Sequence, residues 1–239
     1  MLEQELWIAA SEGNVQKVKD ILEQTELLVD VNWGDAEHQR TPFYRACYFG
    51  HYELVKLMLK DNRVDVSKIQ SQGFSPLNIA CQNGHLEIVK ELISDGRNNI
   101  NLPSFDGQTP FFKASQNGHL EIIQLLLSTS RKVNVNQERN DGVTPIFMAA
   151  SNGHVNVIKR ILATEHEVNL EARWNVLGHT IFDQTRYSCQ MDKQEWETID
   201  DVRRRQTQCP SILEILTDYQ RESAVVRKKF KKEFNLFGG

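Results

Sequence analysis

A short motif that recurs at a fixed interval is the feature that most constrains how this chain folds. A Thr or Ser followed by Pro stands at residues 41, 75, 109 and 144, so the intervals are 34, 34 and 35 residues. An alanine lies five residues after each opening, and a Gly-His pair begins nine residues after it. A period of roughly 20 to 50 residues indicates a repeat architecture, in which each unit packs mainly on its neighbours.

The residues inside one period predict a pair of helices. The hydroxyl of Thr or Ser caps a helix that Pro then begins, because Pro lacks the amide hydrogen that the first turn leaves unused. The glycine of the Gly-His pair ends that helix in a left-handed conformation, which we expect at Gly118 in particular. Apolar residues then recur at a helical period, as in Leu54, Val55, Met58 and Leu59, and predict a second, amphipathic helix.

Turn-forming residues separate successive helix pairs. They are Gln72-Gly73, Asp106-Gly107 and Asn140-Asp141-Gly142, and the flanking pieces, such as residues 133–136, favour extended backbone. The spacing therefore predicts a projecting hairpin between one helix pair and the next.

The Thr-Pro-x-x-x-Ala opening, the Gly-His turn and this period together resemble the ankyrin repeat. Four full repeats span residues 41–165, a degenerate repeat precedes them around Leu6 and Trp7, and a fifth opening stands at Thr180. The resemblance implies an all-α, ankyrin-repeat solenoid of stacked helix pairs with projecting β-hairpin turns. The chain departs from the family at the histidine of its Thr-Pro-Leu-His motif, where it carries, in order, Tyr44, Asn78, Phe112 and Phe147.

The expected domain is an ankyrin repeat domain over residues 1–220. It divides into a capping repeat (1–38), four full repeats (about 39–174) and a divergent repeat (175–220) whose second helix, around Ile212, arrives about 19 residues late. We expect an insertion at 186–209 that forms its own helix through Trp196, Ile199 and Val202 before Pro210 restarts the repeat. Its role is open between capping the solenoid and binding a partner.

Composition supports a folded, intracellular protein. Hydrophobic residues make up 40% of the chain, charged residues 25%, and the net charge is −4, as in ordinary globular proteins. No apolar run approaches a membrane span, and the first five residues include two Glu and no basic residue, unlike a secretory leader, so we expect a cytoplasmic or nuclear location. In such a reducing compartment we expect Cys47 and Cys81 to fill the core and Cys189 and Cys209 to stay unbridged.

The sequence predicts neither catalysis nor a cofactor. The four Gly-His histidines occupy equivalent places in successive repeats, too far apart to share a zinc ion, so we expect them to orient the turns by hydrogen bonds. No phosphate loop, nucleophile elbow or zinc-protease motif is present in the sequence.

The expected function is recognition of a protein or peptide partner by a chain that is monomeric alone. In ankyrin proteins the hairpin tips and the ends of the first helices line a concave groove. Carried over by position, the helix-end residues are Tyr48, Phe49, Gln82, Asn83, Gln116, Asn117, Ser151 and Asn152. The hairpin residues are Trp33, Arg40, Phe74, Phe105, Asp106, Gln108, Asn140, Asp141, Val143 and Trp174. Exposed aromatics on turns favour binding for Phe74 and Phe105, whereas Trp33 and Trp174 are equally suited to packing against adjacent loops.

The C-terminal residues 221–239 form a basic tail and offer an alternative function. Residues 221–233 contain six Lys or Arg and two Glu, and Val226, Phe230, Phe234 and Phe237 would form one apolar stripe on a helix. The stripe is interpreted first as docking on the last repeat. The alternative is that the tail binds an anionic membrane or nucleic acid, although the acidity of the whole chain opposes extended contact with phosphates.

Overall fold

The computed structural model of the chain describes residues 2–24, 29–174, 178–190 and 198–235. Within these ranges it is all-α, with no strand and one isolated backbone bridge, between Trp174 and His179. The helices, in chain order, are α1 Leu2–Glu12, α2 Val15–Glu23, α3 Pro42–Phe49, α4 Tyr52–Leu59, α5 Pro76–Asn83, α6 Leu86–Asp95, α7 Pro110–Asn117, α8 Leu120–Ser128, α9 Pro145–Ser151, α10 Val155–Leu162, α11 Ile181–Gln190 and α12 Ile199–Asn235.

The first helix of a pair begins and ends as the motif predicts. The side-chain oxygens of Thr41, Ser75 and Thr144 accept the backbone N–H three residues further on, and a proline follows each as the first helical residue. Gly50 ends α3 in the left-handed region at φ 80°, and α4 begins two residues later. Local sequence therefore sets these helix ends.

In the first of two compact units, Met1–Pro110, the helix pairs form two layers. Helices α1, α3 and α5 pack side by side as one layer, and α2, α4 and α6 pack side by side as the other. Leu6, Phe43, Leu54, Leu77 and Leu92 are fully buried. The apolar faces predicted from the repeat are thus the faces that successive pairs bury, which is the main stabilising term in such a unit.

The second unit, Phe111–Gly239, contains α7 apart from its first residue, and helices α8 to α12. Helix α9 packs on α10 and α11, and α10 packs on α8 and α12. Phe111, Ile123, Ile146 and Ile158 are among its fully buried side chains.

The structure corrects the expected insertion. Helix α11 is followed by α12, which begins at Ile199 and runs through Pro210. It begins 18 residues after α11 begins, whereas the second helix of each full repeat begins 10 residues after the first, so the second helix of the fifth pair is about 8 residues late and not about 19. Between Ile199 and Gln220 its buried side chains are Arg205, Cys209, Ile212, Leu216 and Tyr219. Their spacing of four, three, four and three residues is helical across the proline, whose ring is exposed. Burial of this stripe offsets the ~3 kcal/mol that a proline costs inside a helix. Trp196 lies outside the described residues.

The disulfide expectation is wrong for one pair of cysteines. Cys189 on α11 and Cys209 on α12 are bridged, with their Cα atoms 5.7 Å apart, because the two helices pack against each other. That separation lies in the usual range for a disulfide. Cys47 and Cys81 are free and buried, as predicted, and burial raises the pKa of both thiols.

The basic tail folds back on α10. Helix α12 has a kink at Glu222, where the backbone is not helical, and beyond it Val226 and Phe230 are buried. Lys159 of α10 lies 2.8 Å from Glu233 and 5.6 Å from the Phe230 ring. These contacts agree with the docking interpretation of the apolar stripe, of which Phe237 lies outside the described residues.

Candidate partner-recognition site

The Gly-His histidines have the structural role that the sequence predicts. The Nε2 atoms of His51, His85 and His154 each lie 3.0 Å from a backbone carbonyl near the end of the first helix of the preceding pair. A carbonyl only accepts hydrogen bonds, so each Nε2 is the protonated donor. Among the described residues no cluster of three or more His, Cys, Asp or Glu side chains could hold a metal ion.

The positions that depart from the family motif are buried and contribute to the frame. Asn78 forms a reciprocal cap with Ser75, and its side-chain N–H donates to the carbonyl of Gln108 at 3.0 Å. Burial raises the pKa of Tyr44 to about 12. Phe112 and Phe147 are apolar and fully enclosed. The repeat therefore keeps its turn geometry with different side chains at this position.

In the first unit, the hairpin tips contact one another through the backbone. The N–H of Phe105 donates to the carbonyl of Gln72 at 3.1 Å, and the N–H of Ser71 donates to His38 at 2.8 Å. Gly73, at φ 85°, lies directly against the Phe105 ring, and a Cβ added there would come within 3 Å of it. The Phe105 side chain is nevertheless 64% exposed. The tip thus holds a large aromatic group in water at a fixed place.

A cluster of aromatic and arginine side chains lies on α1, on α3 and just before α3 in the same unit. We call it the arginine–aromatic cluster, and it consists of Trp7, Arg40, Arg45, Tyr48 and Phe49. The Arg45 guanidinium carbon is 4.5 Å from the ring centroids of both Trp7 and Phe49 and 5.8 Å from that of Tyr48. Arg40 lies 6.0 Å from the Tyr48 ring, and its carbonyl accepts the Trp7 indole N–H at 2.8 Å.

Sequence reasoning missed Trp7 and Arg45 as members of this surface. The spacing of Arg45, Tyr48 and Phe49 at i, i+3 and i+4 was an available signal, because such residues share one helix face. Trp7 could not be found in this way, since its contact with Arg45 crosses from α1 to α3. Phe49 is 44% exposed at the end of α3.

In the second unit, predicted amide side chains line a cavity of about 310 Å³. Asn152 donates its side-chain N–H to the carbonyl of Gln116 at 2.7 Å, and Asn117 is exposed at the rim. Asp201 and Arg204, which pair at 3.1 Å, bring α12 to the same cavity. Their part was not predicted, because the sequence placed this segment in an insertion.

Three predicted contact residues are buried, which corrects their assignment. Val143 is 1% exposed, and Gln108 and Ser151 are also buried. Gln108 contributes its backbone to the hairpin and to Asn78, and Val143 closes the following hairpin by accepting the N–H of Arg139. These side chains lack the exposure that partner contact requires.

The remaining predicted residues have mixed environments. Asn83 donates its side-chain N–H to the Tyr48 carbonyl at 2.8 Å, and Asp141 forms an ion pair with Arg139. Asp106 and Asn140 are exposed, whereas the others are partly buried, namely Trp33, Phe74, Gln82 and Trp174.

The comparisons with known proteins identify the family. A model of ankyrin repeats matches residues 6–102 and 96–173, which together cover more than half of the chain, so the chain belongs to the ankyrin-repeat family. Ankyrin repeats are generally protein–protein interaction modules and are typically noncatalytic. The search of curated proteins found no match. In the part of the chain that the structure describes, every helix is too short or too polar to cross a bilayer.

Proposed function

We propose that this protein is a noncatalytic recognition module that holds a protein or peptide partner on its hairpin tips and on the exposed ends of its first helices. The observation that carries the proposal is the exposure of Phe105 and Phe49, two large aromatic side chains on the first unit. Water gives such groups no stabilisation at a turn or a helix end, whereas aromatic anchors contribute much of the affinity at protein interfaces.

Polar neighbours suit the same function. Tyr48 and Gln82 lie partly exposed at the ends of α3 and α5, next to Phe49 and Asn83. Amides and a phenol hydroxyl satisfy the backbone N–H and C=O groups that a partner buries, and unpaired buried groups would weaken binding. The combination of aromatic and amide groups favours a peptide or protein over a small apolar ligand.

Tethering through the basic tail is the less supported function. Tethering to a membrane requires the apolar stripe to enter the bilayer, yet Val226 and Phe230 are buried and Phe230 lies beside Lys159 of α10. Tethering to nucleic acid through the lysines is opposed by the net charge of −4. An intracellular location, cytoplasmic or nuclear, is also proposed. The free thiols of Cys47 and Cys81 support it, and the Cys189–Cys209 bridge opposes it.

The test has two steps. Affinity capture with the full chain, followed by mass spectrometry, identifies a partner, and its affinity is then measured for Phe105→Ala and Phe74→Ala. Val15→Ala is the control, because Val15 is an exposed apolar residue at the start of α2, a second-layer helix outside the proposed surface. We expect Phe105→Ala to weaken binding at least tenfold with little change in the melting temperature. Unchanged affinity and unchanged folding in both Phe variants would refute the anchor assignment.

A further inference from the structure

Arg45 is a cation that the protein holds in a defined orientation. Its Nε–H donates to the hydroxyl of Ser11 at 2.9 Å, and that hydroxyl donates in turn to the carbonyl of Trp7 at 2.8 Å. The rings of Trp7 and Phe49 lie 4.5 Å from its guanidinium carbon. Contacts from two helices thus fix the side chain, so little rotamer entropy remains to be lost when a ligand binds.

The terminal N–H groups of Arg45 have no acceptor among the described residues, since its hydrogen bond uses Nε alone. Rings that stack on a guanidinium contact its flat faces and leave the in-plane N–H edge for an acceptor. Burial, with Arg40 as the next contribution, lowers the pKa of Arg45. Arg40 is thus a second cation that acts on Arg45, and Asp35 is the carboxylate that opposes it.

The Asp35 carboxylate is already engaged by other donors. Asp35 accepts the backbone N–H groups of Glu37, His38 and Arg40, at distances of 3.1, 2.7 and 2.9 Å. Although burial by itself acts in the opposite direction, these three donors hold the pKa of Asp35 below its usual value. With Asp35 engaged in the hairpin, Arg40 and Arg45 leave a local charge of +1 beside three aromatic rings.

We propose that the arginine–aromatic cluster binds the carboxylate of an Asp or Glu side chain that is followed or preceded by an apolar residue in an extended partner segment. The Arg45 N–H edge receives the carboxylate, and the exposed part of Phe49 contacts the apolar neighbour. A carboxylate matches the planar guanidinium edge, with two parallel hydrogen bonds. This inference rests on the proposed function and specifies the chemistry of the partner.

The test uses a phage-displayed library of random nine-residue peptides, selected on the full chain. We expect the selected peptides to contain Asp or Glu next to an aromatic or aliphatic residue. For a selected peptide, made synthetically, changing its Glu to Gln is expected to weaken binding about tenfold in the natural protein but less than twofold in Arg45→Gln, which is the signature of direct coupling. Far-UV circular dichroism confirms that each variant is folded.

Two further variants separate the charge from its orientation. Arg45→Lys keeps the charge but loses the planar edge, so we expect it to bind several-fold more weakly than the natural protein. Lys60→Gln removes one positive charge from the exposed end of α4 and is expected to leave binding within twofold. Equal effects of Arg45→Gln and Lys60→Gln would show that only net charge acts, and the proposal would fail.

The remaining outcomes are also decisive. If the selected peptides contain no Asp or Glu, and if they bind the Phe105→Ala variant more weakly than the natural protein, the carboxylate site is overturned and the proposed function stands. A library that yields no binding peptide counts against both. A phosphoserine in place of the Glu that binds more than tenfold tighter would assign the cluster to phosphate instead.

Discussion

The turn between the two helices of the third full repeat gives the sharpest test of how the repeat is held together. Gly118 has φ 76°, and a Cβ placed on it would lie 2.4 Å from Nδ1 and 2.6 Å from Cε1 of His154. Displacing this imidazole would break a hydrogen bond, because its Nε2 donates to the carbonyl of Gln116 at 3.0 Å. Gly118→Ala should therefore combine a backbone penalty with displacement of a partly buried ring.

The two contributions can be separated with a matched glycine. Gly96 ends α6 at φ 80°, and a Cβ there would meet no atom within 4 Å. Gly96→Ala should cost only the left-handed penalty of roughly 1 to 2 kcal/mol. Gly118→Ala should cost about 1 to 2 kcal/mol more, for the lost hydrogen bond and the displaced ring.

The assay is urea unfolding of the full chain, followed by circular dichroism, for both variants and for Gly118→Ala combined with His154→Ala. In the His154→Ala background the Gly118 penalty should fall to the Gly96 value, because the clash is gone. Equal costs for Gly96→Ala and Gly118→Ala, or a Gly118 cost that does not change without His154, would refute this account of the turn.

Three further predictions follow from the second unit. Burial lowers the pKa of His154 from 6.5 to about 4. Between these values the unfolded chain binds a proton that the folded chain does not, so the free energy of unfolding should fall by up to about 3 kcal/mol as pH drops from 6.5 to 4. His154→Gln should flatten that slope in urea unfolding at several pH values. Reduction of the Cys189–Cys209 bridge, whose cysteines are 20 residues apart, should lower the free energy of unfolding by about 3 kcal/mol, as the loop-closure relation predicts. Thermal melting with and without dithiothreitol measures this difference. An unchanged melting temperature would contradict the bridge. Phe230→Ala should lower the free energy of unfolding by about 3 kcal/mol, whereas Lys228→Gln, at an exposed position, should leave it almost unchanged. If Phe230→Ala also left the free energy of unfolding almost unchanged, the tail would not be docked.

The limits of the sequence are clearest where a local rule and a tertiary contact disagree. Pro210 is a strong local stop signal, and it was interpreted as the start of a helix, yet α12 passes through it. The burial that decides this depends on α10 and α11, which pack on the stripe from elsewhere in the chain. Likewise, whether Val143 faces water or core depends on which side of its hairpin meets the next helix pair.

The sequence by itself determined the helix pairs, their caps and their turns, because Thr41, Pro42 and Gly50 act through groups within a few residues of each other. It also determined the family, since the repeat is visible as a period. Only the tertiary structure decided that Cys189 meets Cys209 and that Trp7 lies beside Arg45. The physical reason is that these contacts depend on how neighbouring helices pack. The period of the repeat alone does not specify which side chains face each other between two packed helices.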